Sequence, residues 1–194
     1  MEKFKTGYFG NYKTTNNLSE SLKHSFSLDV KDSKKINVFI SHKHSDLEDL
    51  KGLIGFLEKD YGCNCYIDSN DSLMPSSTCG ETANRIKNKI KNCDIFILLA
   101  TPGAIASKWC NWELGYGDAY KNNENKLALL FIYSNSEDYG NEYMQIYPHI
   151  VYRNGNEKYS NGNPIPKGFY LKYSKGDEWY LISLKKWFEN NHHK

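Results

Sequence analysis

Arginine is almost absent from this 194-residue chain, which contains only Arg85 and Arg153. The formal net charge is +2, so the chain carries no strong excess of either sign. Proteins that recognise nucleic acids rely on arginine for phosphates and bases and usually present a basic surface. The composition therefore predicts that nucleic acid is not a partner of this protein.

A long apolar run is also missing. The longest one, DIFILLATPGAIA at residues 94–106, is interrupted by Pro102 and Gly103 and is too short to span a bilayer. The N-terminal residues MEKFKTGYFGNYKTTNN contain no apolar core of a secretory signal. The five cysteines form no C-x-x-C pair, which suits buried thiols in a reducing compartment. We therefore expect a cytoplasmic protein with no membrane segment.

What the chain does contain is an alternation of apolar strands and amphipathic helices. The strand segments are residues 36–41, 63–68, 94–101, 126–133 and 149–153, and the first four are separated by helical patterns. This alternation predicts an α/β fold with a parallel sheet of about five strands, flanked by helices. A flavodoxin-like strand order, 2-1-3-4-5, is the arrangement that we expect.

Local signals predict where the helices begin. Capping boxes at Ser45–Glu48 and Thr78–Glu81 predict two helix starts, and Ser107 is the expected N-cap of a third helix. Asp177 is expected to cap a last helix with four residues on its inner face, Tyr180, Leu184, Trp187 and Phe188. The predicted organisation is an N-terminal extension at 1–35, a domain at 36–153, and a C-terminal extension at 154–194 that ends in a helix packed on the domain.

The third helix raises the main functional question. In KWCNWELGYGDAY, the residues Trp109, Trp112, Tyr116 and Tyr120 share one helical face, and Glu113 lies in the middle of it. We expect this aromatic face to be the packed one, where a carboxylate loses hydration and needs a partner, a neutral form or a task. The alternative to a catalytic carboxylate is a structural one, either paired with a nearby lysine or extended past the aromatic rings to solvent.

The expected topology places Glu113 near the usual ligand position of the fold class. Open parallel sheets bind ligands beyond the carboxyl ends of their strands, where the strand order reverses. In the predicted order, this point lies between the loop after strand 1, SHKHSD at residues 41–46, and the loop after strand 3, which leads into the helix of Glu113.

Two metal sites can be weighed from the residue spacing. His42, His44, Cys63 and Cys65 form H-x-H and C-x-C pairs, which are tight for one tetrahedral zinc ion. The segment DSNDSL at residues 68–73 resembles a calcium loop, but it has Leu73 where such a loop needs glycine. We expect no metal.

Two stretches carry a resemblance to TIR domains. VFISHKHSD resembles the first TIR box, and SKWCNWEL resembles the signature Ser-x-Trp-Cys-x-x-Glu, with Glu113 at the position of the catalytic glutamate of the family. The strand DIFILLAT lies between them, and the resemblance covers about residues 36–133. Pro75 is followed by Ser76 where TIR domains often have Pro-Gly, which departs from the family pattern in a loop used for assembly and site closure.

The resemblance implies an activity and a set of site residues. TIR enzymes cleave NAD between nicotinamide and ribose and release ADP-ribose or a cyclic isomer, so NAD is the expected substrate and no cofactor is expected. Glu113 is the implied catalytic residue. Candidate substrate-binding residues are Ser41, His42, Lys43, Asp46 and Trp109.

The chain is also similar to the stand-alone TIR proteins of the bacterial Thoeris anti-phage system. That similarity implies a small-molecule signal sensed by a separate effector protein, a phage-derived trigger, and self-association of TIR domains. A non-enzymatic TIR adaptor is the alternative. A nucleoside-processing transferase of related architecture is a third possibility, but it would need a second carboxylate nearby.

Overall fold

The computed structural model describes residues 4–12, 35–67, 80–122, 125–133 and 142–191. Within them, the strands are β1 (Phe4–Lys5), β2 (Asn37–Ser41), β3 (Asn64–Tyr66), β4 (Ile95–Ala100), β5 (Leu127–Tyr133), β6 (His149–Arg153), β7 (Gly168–Lys175) and β8 (Glu178–Ser183). The helices are α1 (Leu47–Tyr61), α2 (Gly80–Asn92), α3 (Pro102–Ala106), α4 (Lys108–Lys121) and α5 (Leu184–Asn190). All strands belong to a single sheet.

The parallel part of the sheet confirms the predicted strand order. The neighbours run β3-β2-β4-β5-β6, which is the expected 2-1-3-4-5, and all four pairings are parallel. Phe39 of β2 lies opposite Phe96 of β4, and Leu98 of β4 lies opposite Leu129 of β5. Every residue of β4 is fully buried, as its continuous apolar run predicted.

The C-terminal part of the sheet differs from the prediction. An antiparallel hairpin, β7 and β8, extends the sheet beyond β6. Asp177 does not cap a helix but lies in the turn of this hairpin, and Tyr180 is a partly exposed strand residue. The last helix begins only at Leu184, where the Ser183 hydroxyl accepts a hydrogen bond from the backbone N–H of Lys186. The residues before Leu184, EWYLIS, are rich in the aromatic and β-branched types that favour a strand, and they pair with β7 at the edge of the sheet.

Two cores cover the two faces of the sheet. One contains Leu50, Leu53 and Leu57 of α1 together with Trp187 of α5. The other contains the apolar sides of α2, α3 and α4. Because strand side chains alternate in direction, Val38 and Ile40 of β2 enter the first core and Phe39 enters the second. The alternation also directs the next residue, Ser41, towards α4.

The predicted capping box at the start of α1 is not formed. A 3₁₀ turn at His44–Asp46 precedes the helix, and Asp46 at the N-cap makes no side-chain capping bond. The Ser45 hydroxyl donates to Oδ1 of Asp46 instead, at 3.1 Å, and Glu48 pairs with Lys51. For α2, Thr78 lies outside the described residues.

The described part of the N-terminal segment packs across α1. Phe4 and Phe9 are buried in the core on that side. A β-carbon on Gly52 would lie 2.8 Å from the Phe9 carbonyl oxygen, and one on Gly55 would lie 2.0 Å from that of Tyr12. The missing side chains of these two glycines thus allow the segment to lie directly on the helix. The domain boundaries at 36 and 153 stay a prediction, although residues beyond both share this core.

In the described part of the chain, no helix is both long enough and apolar enough to cross a membrane. The cysteines described there, Cys63, Cys65, Cys93 and Cys110, are buried thiols outside any disulfide, as expected, and Cys79 lies outside the described residues.

Candidate active site

The centre of the site is a hydrogen bond between the ends of two elements. The hydroxyl of Ser41, the last residue of β2, donates to Oε2 of Glu113 at 2.5 Å. Both side chains are buried, with 1% and 2% of their surface exposed. A hydrogen bond to a charged acceptor in a low-dielectric site is stronger than one in water. The bond therefore holds the Glu113 carboxylate at the carboxyl end of β2, where the predicted topology places a ligand.

Several local features bring α4 to this position. Thr101 caps α3 through a bond from the Ala104 N–H, and Ser107 caps α4 through a bond from the Cys110 N–H. The Cys110 thiol also donates to the His42 carbonyl oxygen at 3.3 Å, which ties α4 to the loop after β2.

Close packing of α4 on the sheet depends on Gly117. A β-carbon there would lie 3.0 Å from the ring of Phe96. Glycine therefore lets the helix backbone approach β4 closely, one turn after Glu113.

The aromatic face of α4 is not the packed face that the sequence suggested. The buried residues of the helix are Cys110, Glu113, Leu114, Gly117 and Lys121. This face is rotated from the aromatic stripe, and Glu113 lies on the side of it nearest the aromatic residues. The prediction of a buried aromatic face was wrong, because the close approach of Gly117 and the small Cys110 side chain set the orientation of the helix. The burial of Glu113 was predicted correctly, although for a different reason.

The aromatic stripe forms a stacked ladder that is only partly buried. Trp109 and Trp112 stack with ring centroids 4.9 Å apart, and Trp112 stacks on Tyr116 at 6.2 Å. Lys91 of α2 lies over the Tyr120 ring at 4.8 Å. Hydrogen bonding with Tyr116 and then with Lys91 lowers the pKa of the exposed Tyr120 phenol. The ladder joins α4 to α2 and leaves Trp109 half-buried at its end nearest the start of α4.

The loop after β2 holds the other predicted site residues. His42 is buried, and its Nδ1 lies 3.3 Å from the Ile40 carbonyl oxygen. Lys43 is exposed, and its Cγ would lie 3.3 Å from a β-carbon on Gly103 of α3. Asp46 accepts a hydrogen bond from the Thr101 hydroxyl through Oδ2. The two loops at the switch point are therefore bonded to each other.

The structure thus brings together only some of the predicted residues. Ser41 touches Glu113 directly, whereas His42 reaches α4 through its backbone. Asp46 is engaged with Thr101, and Trp109 stacks on Trp112. Sequence reasoning did not assign roles to Thr101 and Cys110. Thr101 directly follows the buried strand β4, and Cys110 lies inside the signature, so their positions were signals that could have found them.

No group of three or more His, Cys, Asp or Glu side chains among residues 4–12, 35–67, 80–122, 125–133 and 142–191 is arranged to hold a metal ion. Cys63 and Cys65 are buried at β3, where burial raises the pKa of Cys63 to about 12. The segment DSNDSL lies outside the described residues.

The fold and the buried carboxylate together define the class of protein. A sequence model of the TIR domain matches residues 38–161, which is more than half of the chain. The chain belongs to the TIR domain family.

A relative with a more specific name is a probable 3' cyclic ADP-D-ribose synthase, ThsB', of Bacillus cereus (strain MSX-D12). It is 30% identical over 126 residues, which cover 62% of this chain and 63% of the relative. The match therefore spans less than two thirds of the relative's length.

Proposed function

We propose that this protein is an NAD-cleaving TIR enzyme in which Glu113 is the catalytic residue. The observation that carries the proposal is the buried Glu113 carboxylate, oriented by Ser41 at the carboxyl end of β2. An adaptor that acts only through protein assembly has no use for a desolvated carboxylate at this place, and burying one costs stability. The name of the Bacillus cereus relative supports the same reaction class.

Cleavage of the bond between nicotinamide and ribose requires one carboxylate. Nicotinamide is bound to ribose as a pyridinium and leaves as a neutral base, so its departure needs no general acid. Positive charge then develops on the ribose, as it does in glycoside hydrolysis. A fixed negative group in a water-poor site stabilises that charge more strongly than water would. Glu113 would supply this charge, and Ser41 would keep its orientation.

The remaining roles rest on position. His42 and Lys43 follow directly after Ser41, where they would contact ribose or phosphate, and Lys43 is the exposed cation of that loop. Trp109 would stack on a base at the end of the aromatic ladder. Asp46, which is bonded to Thr101, would hold the two loops together beside the substrate.

We propose a cyclic ADP-ribose isomer as the product. After nicotinamide leaves, the nearest nucleophile captures the ribosyl cation. A well-oriented group on the same molecule has an effective molarity of about 10⁵ M or more, far above that of water. Cyclisation therefore prevails if the site folds the substrate back on itself. The name of the relative supports this choice over simple hydrolysis.

The proposed biological role is signalling in anti-phage defence of the Thoeris type. The cyclic product would activate a separate effector protein, and a phage-derived trigger would start synthesis. Self-association of TIR domains would accompany activation. These partners rest on the resemblance of the sequence to Thoeris TIR proteins.

Product analysis tests the proposal. The full chain is incubated with NAD, with and without lysate of phage-infected cells. The products are separated by chromatography, and their masses are measured by mass spectrometry. The expected product is one water lighter than ADP-ribose. If linear ADP-ribose is the sole product, the protein is an NAD hydrolase and not a cyclase. If NAD stays intact under both conditions and the protein assembles as its concentration rises, the adaptor function is favoured.

A further inference from the structure

A cavity separate from the Ser41–Glu113 site lies at the same edge of the sheet, two and three strands away from β2. It has a volume of about 540 Å³ and is lined by the carboxyl ends of β5 and β6 together with the N-terminal strand β1. Small-molecule sites usually measure about 300–1,000 Å³. None of the described residues that line it belongs to the Ser41–Glu113 site.

Tyrosine rings form much of the wall. Tyr8, Tyr133 and Tyr152 all line the cavity. The rings of Tyr8 and Tyr152 lie 6.5 Å apart at 60°, and Tyr152 is held by Phe169 at 5.1 Å. Partial burial, followed by the proximity of Tyr152, raises the pKa of Tyr8, so the Tyr8 phenol stays neutral at physiological pH. Rings that are held by packing offer flat apolar surfaces without a large entropic cost.

The charged residues of the wall favour an anion. Among the described residues, Lys5 and Arg153 line the cavity together with one acidic residue, Glu157. Arg153 is one of only two arginines in the chain, and just 12% of its side chain is exposed. Its Nη1 donates to Glu157 Oε1 at 3.1 Å, which orients the guanidinium at the end of β6. These two cations and one carboxylate leave a net positive charge, which disfavours a cationic ligand. The aromatic rings alone would bind a cation.

The N-terminal strand completes the cavity and is firmly attached. The Thr6 hydroxyl donates to the Tyr133 carbonyl oxygen at 2.9 Å, and the Gly7 N–H donates to Asp49 at 2.7 Å. These bonds hold Lys5 and Tyr8 at the cavity that Arg153 and Tyr152 also line. The described wall is therefore built on three paired strands, β1, β5 and β6, and is completed by Tyr8 and Glu157 in the segments that follow β1 and β6.

We propose that this cavity binds a ligand that combines a planar aromatic ring with a phosphate, of the mononucleotide class. The ring would lie against Tyr8 and Tyr152, and the phosphate would contact Lys5 and Arg153. The site is separate from Glu113, and the proposal does not depend on NAD cleavage.

Calorimetric titration of the full chain with AMP tests the proposal. We expect saturable binding with a dissociation constant below about 1 mM. Lys5→Glu should weaken it about ten-fold or more, because it replaces a charge-assisted contact by repulsion. Lys185→Glu makes the same charge change on the exposed side of α5 and should bind AMP like the parent. Amide hydrogen exchange should show protection by AMP in β1 and β6.

A second pair of variants shows whether AMP binding is lost through loss of ring stacking or through loss of folding. Tyr8→Phe keeps the ring and should keep AMP binding, whereas Tyr8→Leu should weaken it, and both are compared with the parent by thermal melting. Adenosine and inorganic phosphate, titrated separately, should each bind more weakly than AMP. Equal AMP binding by the parent and Lys5→Glu, no saturable AMP binding, or equal affinity for AMP and adenosine would each overturn the proposal.

Discussion

Ser41 Oγ lies 2.5 Å from Glu113 Oε2, although the two residues are 72 positions apart in the chain. Ser41 ends β2, and Glu113 lies in the second turn of α4, a helix that packs on one face of the sheet. Their contact links the two TIR-like motifs of the sequence at one point. Substitutions at either residue of this contact should therefore change the rate of NAD cleavage.

The first prediction concerns the carboxylate itself. Glu113→Gln keeps the size of the side chain and a hydrogen-bond acceptor for Ser41 but removes the negative charge. NAD cleavage should fall by about 10²–10³-fold, the usual cost of losing one preorganised electrostatic group. Initial rates of nicotinamide release measure the effect.

A matched control is Glu189→Gln, which removes an exposed carboxylate from α5. It should cleave NAD at the parental rate. If Glu113→Gln melts like the parent and also cleaves at the parental rate, Glu113 has no part in the reaction.

The second prediction tests the orientation of the Glu113 side chain while its negative charge is kept. Ser41→Ala leaves Glu113 charged but removes its hydrogen-bond donor. A bond to a charged group contributes about 1.5–3 kcal/mol, so kcat should fall by about 10–100-fold while KM changes little. A larger change in KM than in kcat would instead assign Ser41 to substrate binding.

The third prediction tests the close approach of α4 to the sheet. In Gly117→Ala, the new methyl group would lie 3.0 Å from the Phe96 ring, which itself stacks on Phe39. The helix or the ring must shift, and unfolding in urea should show a loss of about 1–3 kcal/mol. Activity should fall as well, because Glu113 moves with the helix.

Gly115 provides the control on the same helix. Apart from its chain neighbours and the backbone of α4 itself, no atom of the described residues lies within 4 Å of a β-carbon at this position, so Gly115→Ala should stabilise the protein by about 0.5–1 kcal/mol through helix propensity. Equal stability changes for Gly115→Ala and Gly117→Ala would contradict the packing described for α4.

The fourth prediction concerns the N-terminal segment. A β-carbon on Gly55 would lie 2.0 Å from the Tyr12 carbonyl oxygen, which a backbone cannot tolerate. Gly55→Ala should therefore detach the end of the segment from α1 and break the bond from Tyr12 to Asp60. Faster amide exchange at residues 10–12, with little change in β4, is the expected readout. Unchanged exchange there would show that the segment is not packed on the helix as described.

The fifth prediction follows from the buried thiols. Burial raises the pKa of Cys63 and of Cys93 to about 12, so very little reactive thiolate exists at neutral pH. Iodoacetamide should leave both residues unmodified in the folded protein and modify both in urea, as peptide mass spectrometry would reveal. Rapid labelling of either thiol in the folded protein would contradict its burial.

Much of the architecture could be predicted from local patterns. The continuous apolar runs of β4 and β5 and the single stripe of α1 identified strands and helices correctly. A strand that is buried on both faces is apolar throughout, and the apolar residues of α1 repeat with the helical period. Short polar patterns were less reliable. The Ser45 capping box failed because Ser45 bonds to Asp46 within a 3₁₀ turn, and Asp177 forms a hairpin turn.

By itself, the sequence determined the strands and helices of the parallel part of the fold, whose class implies the observed strand order, and it singled out Glu113 within its signature. The strands, the helices and the signature depend on periodicity and residue type, which are local properties of the chain. Only the tertiary structure decided which face of α4 is buried, because the contact of Gly117 with Phe96 outweighs the aromatic stripe. It also decided that Ser41 orients Glu113, since a contact between distant residues depends on how strand and helix pack against each other.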